Sequence, residues 1–229
     1  IKRVEELYSD VPEGILLKKN LSLPEPLSEI EAKREVEKIL QKNRTVKELT
    51  SFLGSGNWHH YVPAVVDAVS SRSEFLTSYT PYQPEVSQGL LQAFFEYQNM
   101  ICELLDMDVA NCSMYDWATS LGEAARMSAR VTLRNEFLVP HYINPERMAV
   151  LRSYAEPAGI KVLEIDHNLR DGQIDLEDLK KKVSKSTAGV YIENPSYPGF
   201  LINSVGSISE ITHDAEGLFV VGVDPTSMG

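Results

Sequence analysis

Lys161-Val-Leu-Glu-Ile165, then Leu176-Glu-Asp-Leu-Lys-Lys-Lys-Val183, then Thr187-Ala-Gly-Val-Tyr-Ile-Glu193: these three runs decide the fold. The first and third are short, apolar and rich in β-branched residues, as buried strands are. The middle one follows Asp175, which is placed to cap a helix. Strand, helix, strand at this spacing is a βαβ unit, and two strands joined by a crossover helix lie parallel. Working outward, the rhythm repeats. Phe137-Leu-Val-Pro140 reads as a strand, and Pro145 opens a helix over 145–155. A helix is expected over 205–215, and Leu218-Phe-Val-Val-Gly-Val223 is an apolar strand ending in Asp224-Pro225. The predicted class is α/β, with a mainly parallel sheet flanked by helices.

Upstream of this sheet the chain is helical. Tyr115-Asp-Trp-Ala-Thr-Ser120 leads into a helix carrying Gly122, Ala124, Ala125, Ser128 and Ala129, small enough to pack closely on a sheet. Leu90, Leu91, Phe94, Phe95, Ile101, Leu104 and Leu105 give residues 89–107 a broad apolar helical face. Val109-Ala-Asn-Cys-Ser113 between them reads as a short strand. Pro63 starts a helix to Ser70, and Thr45 caps a short helical turn. Ser28-Glu-Ile-Glu31 is a capping box opening a charged helix to Lys42. Residues 1–27 are irregular, broken by Pro12, Gly14, Pro24 and Pro26. The expected organisation is an N-terminal arm and helix over 1–50 and a large domain over 51–229.

Composition excludes several roles. At 43% hydrophobic and 24% charged residues the chain is an ordinary globular protein. A net charge of -11 argues against nucleic-acid or anionic-membrane partners. No apolar run is long enough to span a bilayer, and the N-terminus lacks the apolar region of a signal peptide. Cys102 and Cys112 make neither a disulfide framework nor a zinc pattern, which fits a reducing, cytoplasmic setting. No metal site is expected. Without a starting Met, the chain is expected to begin inside a longer one. A final strand left uncovered would expose an apolar edge, so residues are also expected beyond Gly229.

Three regions carry candidate chemistry. In Phe75-Leu-Thr-Ser-Tyr-Thr-Pro-Tyr-Gln-Pro-Glu-Val-Ser-Gln88 two prolines stiffen a loop that displays Tyr79, Thr80, Tyr82 and Gln83. Such a loop on a helical base holds polar groups in a site; the plainer alternative is a turn whose tyrosines pack. In Phe52-Leu-Gly-Ser-Gly-Asn-Trp-His-His-Tyr61, glycines bring Asn57 and His60 to a bend that either faces a ligand or is only a turn. The third region is the carboxyl edge of the sheet, where ligands of open α/β folds bind. Ser113–Ser120, Glu193-Asn-Pro-Ser-Tyr197 and Asp224-Pro-Thr-Ser227 are expected to converge there. Ser113, Thr119 and the helix N-terminus behind them form either an anion cup or an unliganded cap.

Ser78-Tyr-Thr-Pro-Tyr-Gln-Pro-Glu-Val-Ser-Gln-Gly89 resembles the signature of glycine decarboxylase, the P-protein of the glycine cleavage system. Phe52-Leu-Gly-Ser-Gly, His60-Tyr-Val-Pro-Ala-Val-Val66, Met107-Asp-Val-Ala-Asn111, Ser113-Met-Tyr-Asp116 and Val221-Gly-Val-Asp-Pro225 resemble the same family. The pattern is most similar to subunit 1 of the split prokaryotic enzyme, over residues 5–229. The resemblance implies the large domain of pyridoxal-phosphate fold type I. It implies a glycine dehydrogenase (decarboxylating), an oxidoreductase that decarboxylates glycine and passes the aminomethyl group to the lipoyl arm of H-protein. It implies pyridoxal phosphate held covalently by the lysine-bearing subunit 2, with this chain completing a shared site in a heterotetramer. On that reading Tyr79, Thr80, Tyr82, Gln83, His60 and Asn57 are the catalytic candidates. Asp224, at the position of the pyridine-nitrogen aspartate, and Ser113 and Thr119, at the phosphate cup, are the implied cofactor positions, either still in contact with cofactor or kept as relics. Trp117 departs from the small residue usual in relatives; an indole there either fills the old cofactor pocket or is a benign surface change. The alternative is a non-catalytic interaction subunit that stabilises its partner. A self-sufficient pyridoxal-phosphate enzyme is disfavoured because no lysine sits in a convincing context.

Overall fold

The computed structural model describes residues 2–52, 59–77 and 79–228. The chain forms two compact units, Ile1–Phe52 and Leu53–Gly229. In the first, a 3-10 turn over Val4–Tyr8 precedes helix α1, Glu29–Leu40. One carboxylate oxygen of Glu31 accepts both the Ser28 amide, at 2.9 Å, and the Ser28 hydroxyl. The capping box thus fixes the start of α1. No described residue of this unit is buried. The Thr45 carbonyl accepts the amides of Glu48 and Leu49 and its hydroxyl oxygen that of Lys47, in a short turn that does not continue into a helix.

The second unit holds the sheet. Strands β1 (Glu136–Pro140), β2 (Lys161–Ile165), β3 (Thr187–Asn194) and β4 (Leu218–Val223) lie in the order β2-β1-β3-β4, all parallel. Leu138 sits between Leu163 and Val190, and Val190 sits beside Phe219. Strand geometry alternates side chains between faces, and two cores follow from it. Phe137, Val139 and Tyr191 pack with Leu121 and Ala125 of α5 (Trp117–Thr132) and with Leu151 and Ala155 of α6 (Pro145–Ala155). Leu138, Val190 and Ile192 pack with Leu179 of α7 (Leu176–Lys182) and Ile208 of α8 (Val205–Asp214). Helices cover both faces, which is why the central strands read as unbroken apolar runs rather than alternating ones.

Local sequence explains where these helices begin. Asn144 Oδ1 accepts the amides of Glu146 and Arg147 at 2.8 and 3.2 Å, and Pro145 supplies a first-turn residue with no amide to satisfy. Asp175 Oδ1 does the same for Glu177 and Asp178. Gly122 lets α5 and α6 meet, because a Cβ there would lie 2.6 Å from the Tyr154 ring.

Helices α2 (Ala64–Ser70), α3 (Ser73–Leu76) and α4 (Gln88–Leu105) precede this layered part. One expectation is corrected here. Residues 109–113 are not a strand. Their polar groups turn back to α4 instead: Gln98 Nε2 donates to the Ala110 carbonyl at 2.7 Å, and Cys112 Sγ lies 3.6 Å from the Phe94 carbonyl. With those partners supplied by a helix, the segment has no strand to pair with. Among the described residues, no helix is long and apolar enough to cross a membrane.

Candidate functional site

The chain runs from β1 through α6 outward to β2, then through α7 back across β1 to β3. That reversal makes a crevice at the carboxyl ends of β1 and β3, where open α/β sheets receive ligands. Four side chains beside it form a closed ring. Trp117 Nε1 donates to the Tyr191 hydroxyl at 2.7 Å, and that hydroxyl donates to Glu193 Oε1 at 3.0 Å. Arg147 Nη1 pairs with the same Glu193 oxygen at 2.8 Å, and the guanidinium carbon stands 4.0 Å above the Trp117 ring. Arg147 and Glu193 are 8% and 3% exposed. The pairing, the phenol and the indole face replace the water each charge has lost. Burial, then the Glu193 charge, pushes the Tyr191 phenol well above its usual range, so the hydroxyl stays protonated as the donor. Gly222 on β4 leaves room for the ring: a Cβ there would lie 2.5 Å from the Tyr191 oxygen and 2.7 Å from the Trp117 ring. The indole at 117 is therefore held by β3 and α6 and occupies the space above β4.

Beyond the ring, the ends of β3 and β4 are joined. The Asn194–Pro195 peptide is cis, Asn194 Oδ1 accepts the Ile202 amide at 3.0 Å, and Ser227 Oγ donates to the Asn194 carbonyl at 3.3 Å. Asp224 follows β4 directly and is 8% exposed. Its Oδ1 accepts the Thr226 amide at 2.9 Å and the Thr226 hydroxyl at 2.6 Å, and its Oδ2 lies 2.9 Å from His60 Nε2. The Thr226 hydroxyl and amide, and behind them the His60 ring, hold the Asp224 carboxyl below the usual aspartate value. Two candidates from residues far apart in sequence, His60 and Asp224, are thus in direct contact.

The N-terminus of α5 is closed by its own cap. Asp116 Oδ1 accepts the Thr119 amide at 2.7 Å and the Thr119 hydroxyl at 2.8 Å, while Ser120 Oγ donates to the Asp116 carbonyl at 2.8 Å. Thr119 thereby keeps the Asp116 carboxyl below its usual value. The amide and hydroxyl that an anion would need are bonded to a carboxylate instead.

The Tyr/Pro loop makes a second locus. Tyr79, Thr80 and Pro81 line an open cavity of about 590 Å³ together with Phe94, Tyr97 and Ser113. Its lining is mostly apolar, and Tyr79, Thr80, Tyr97 and Ser113 are its hydroxyl-bearing residues. Tyr79 is 98% exposed and Tyr82 is 86% exposed, with Gln83 following on the surface before a 3-10 turn over Pro84–Val86. The cavity brings Tyr79 and Thr80 to Ser113; Tyr82 and Gln83 are not among its lining. Asn57 and the glycines beside it lie outside the described residues. A wider apolar hollow of about 1000 Å³ adjoins through shared Phe75 and Tyr97, lined by Val65, Val66, Val69, Leu76 and Met100. Among the described residues, no group of three His, Cys, Asp or Glu side chains is placed to hold a metal.

Sequence reading missed Arg147 and Tyr191. Arg147 looks like any charged residue of a helix, and nothing local tells that its helix turns it onto a buried glutamate. The one signal was Glu193, a carboxylate closing an apolar strand that needs a cation to be buried.

A family model described as "Glycine cleavage system P-protein" matches residues 1–229. The chain is 52% identical over 226 residues to a Thermococcus onnurineus protein named "Probable glycine dehydrogenase (decarboxylating) subunit 1", covering 99% of this chain and 50% of that protein. A Bacillus mycoides protein of the same name is 45% identical over 229 residues, covering 100% of this chain and 51% of that one. Among solved structures, a glycine decarboxylase (P-protein) in inhibitor-bound form superposes with a TM-score of 0.82 at 41% identity, over 99% of this chain and 50% of that one. A sphingosine-1-phosphate lyase from Burkholderia pseudomallei shares the fold, with a TM-score of 0.59 at 18% identity over 93% of this chain and 50% of that one. The chain spans about half the length of the relatives it matches. With a parallel sheet covered on both faces and a family match along its whole length, the chain belongs to the glycine cleavage system P-protein family.

Proposed function

We propose that this chain is part of subunit 1 of a glycine dehydrogenase (decarboxylating), and that it completes a site shared with a lysine-bearing partner subunit. The observation that carries this reading is the cavity in which Tyr79 and Thr80 meet Ser113, on a chain of the P-protein family. Pyridoxal phosphate, held by the partner, supplies the electron sink for loss of the glycine carboxylate. This chain supplies position. The hydroxyls of Tyr79, Thr80 and Ser113 border an open, mostly apolar cavity, an arrangement suited to orient a small polar group. The exposed Tyr82 and Gln83 stand next along the same loop, in reach of an incoming lipoyl arm of H-protein. His60 and Asn57 belong to the same proposed set as flanking groups.

A second reading has its own support. The apolar hollow lined by Val65, Val69 and Met100 suits contact with another protein, and a subunit acting only through it would stabilise its partner without touching glycine. Exchange of the glycine carboxyl with labelled bicarbonate separates the two readings. It is measured with H-protein and pyridoxal phosphate for the full-length chain alone, the lysine-bearing subunit alone, and both together. Exchange only in the mixture, lost when the Tyr/Pro loop is altered, supports the shared site. Exchange by the partner alone, unchanged on mixing, leaves the stabilising role.

A further inference from the structure

Asp224 follows an apolar strand at the sheet edge, where a pyridoxal-phosphate fold presents a carboxylate to the ring nitrogen of its cofactor. Such a carboxylate must offer an oxygen lone pair to a protonated ring nitrogen. In this chain both oxygens are engaged: Oδ1 by the amide and hydroxyl of Thr226, Oδ2 by His60 Nε2 at 2.9 Å. The Asp224 side chain is nearly buried, and the His60 ring in contact with it is about half-exposed. An imidazole N–H and a pyridinium N–H are the same kind of donor: flat, aromatic, with one hydrogen in the ring plane. The phosphate end is closed in the matching sense. The Thr119 amide and hydroxyl are bonded to Asp116, a carboxylate whose charge repels a phosphate.

We propose that His60 occupies the ring-nitrogen position of Asp224 as an internal substitute, and that this occupancy keeps pyridoxal phosphate and related pyridine phosphates off this chain. The proposal rests on the reading that the cofactor belongs to the partner subunit, and it adds the residue that enforces that division. His60 then clasps the segment before α2 to the end of β4. A side chain at position 60 without a ring donor reopens Asp224 to a ligand.

Binding to the full-length chain by itself tests this without reference to turnover, so failure here and failure of the shared-site reading are distinguishable. The probe is pyridoxine, which carries the ring nitrogen but neither the phosphate that Asp116 repels nor an aldehyde, and so needs no lysine. In calorimetric titration the wild type is expected to show no saturable binding up to about 1 mM. His60→Ala is expected to bind at least about tenfold more tightly, and His60→Ala with Asp224→Asn to lose that gain. Wild-type binding below that concentration, or His60→Ala binding no better than wild type, overturns the proposal. Nitrogen-15 NMR of the imidazole gives a second reading that does not depend on how the alanine variant folds. A ring with its hydrogen on Nε2 in the wild type supports the clasp; an Nδ1–H tautomer with bare Nε2 overturns it.

Discussion

Arg147 on α6 and Glu193 at the end of β3 form an ion pair at 2.8 Å in which both side chains are almost wholly buried. Removing one partner leaves the other charge without water or counter-charge. Glu193→Gln and Arg147→Ala are each expected to destabilise the fold by about 3–5 kcal/mol. The double variant Arg147→Ala with Glu193→Gln is expected to lose clearly less than the sum of the two single losses. Urea unfolding of the three proteins checks the prediction, and additive losses would contradict a coupled pair.

Gly222 tests the same ring from the opposite strand. An alanine Cβ would fall 2.5 Å from the Tyr191 oxygen and 2.7 Å from the indole of Trp117. Gly222→Ala is expected to lose about 1–3 kcal/mol through overpacking. Gly206→Ala is the control, since a Cβ there meets nothing within 4 Å. Thermal melts of the two variants should separate clearly.

Tyr142 gives the chain a pH response at the alkaline end. Its ring sits edge-on to His167 and Phe200, and its hydroxyl is buried with no hydrogen-bond partner among the described residues. Burial, then the Glu193 charge, pushes its phenol up to about 12. A raised folded-state value means the protonated phenol favours the fold. That contribution is fully present below the ordinary tyrosine value of about 10 and is lost as pH rises towards 12. Stability should therefore fall across that interval, and less steeply in Tyr142→Phe. The phenolate absorbance of Tyr142, taken as wild type minus Tyr142→Phe, should appear only near the upper end.

Tyr82 separates fold from function. At 86% exposed, its hydroxyl contributes little to packing, so Tyr82→Phe should change stability by no more than about 0.5 kcal/mol. In the assembled enzyme the same change is expected to lower glycine–bicarbonate exchange by about tenfold, equivalent to 1.4 kcal/mol. Undiminished exchange would remove Tyr82 from the site. Tyr79→Phe, at the cavity rim, is the companion measurement.

How far the sequence could be read depended on how local the cause was. Lys161–Ile165 and Leu218–Val223 are the strands expected from their apolar runs, and α6 starts at Pro145 as a first-turn proline implies. Each of those signals lies within a dozen residues. Val109–Ser113 misled because its composition suits a strand while its partners are on α4. The His60–Asp224 contact joins residues at opposite ends of the unit, and neither neighbourhood mentions the other. Asp116 and Thr119 were legible as a helix start, but whether the hydroxyl faces an anion or the cap is a matter of rotamer, which sequence does not set.

Trp117 ends with a use of another kind. The chain has two tryptophans, Trp58 and Trp117. The indole of Trp117 lies beneath a guanidinium and donates to a phenol. Indole emission follows the electric field across the ring, so in a Trp58→Phe background this residue is a built-in optical gauge. Docking of a partner against the carboxyl edge, or loss of the Arg147 charge, would be read as a change of colour without any label attached.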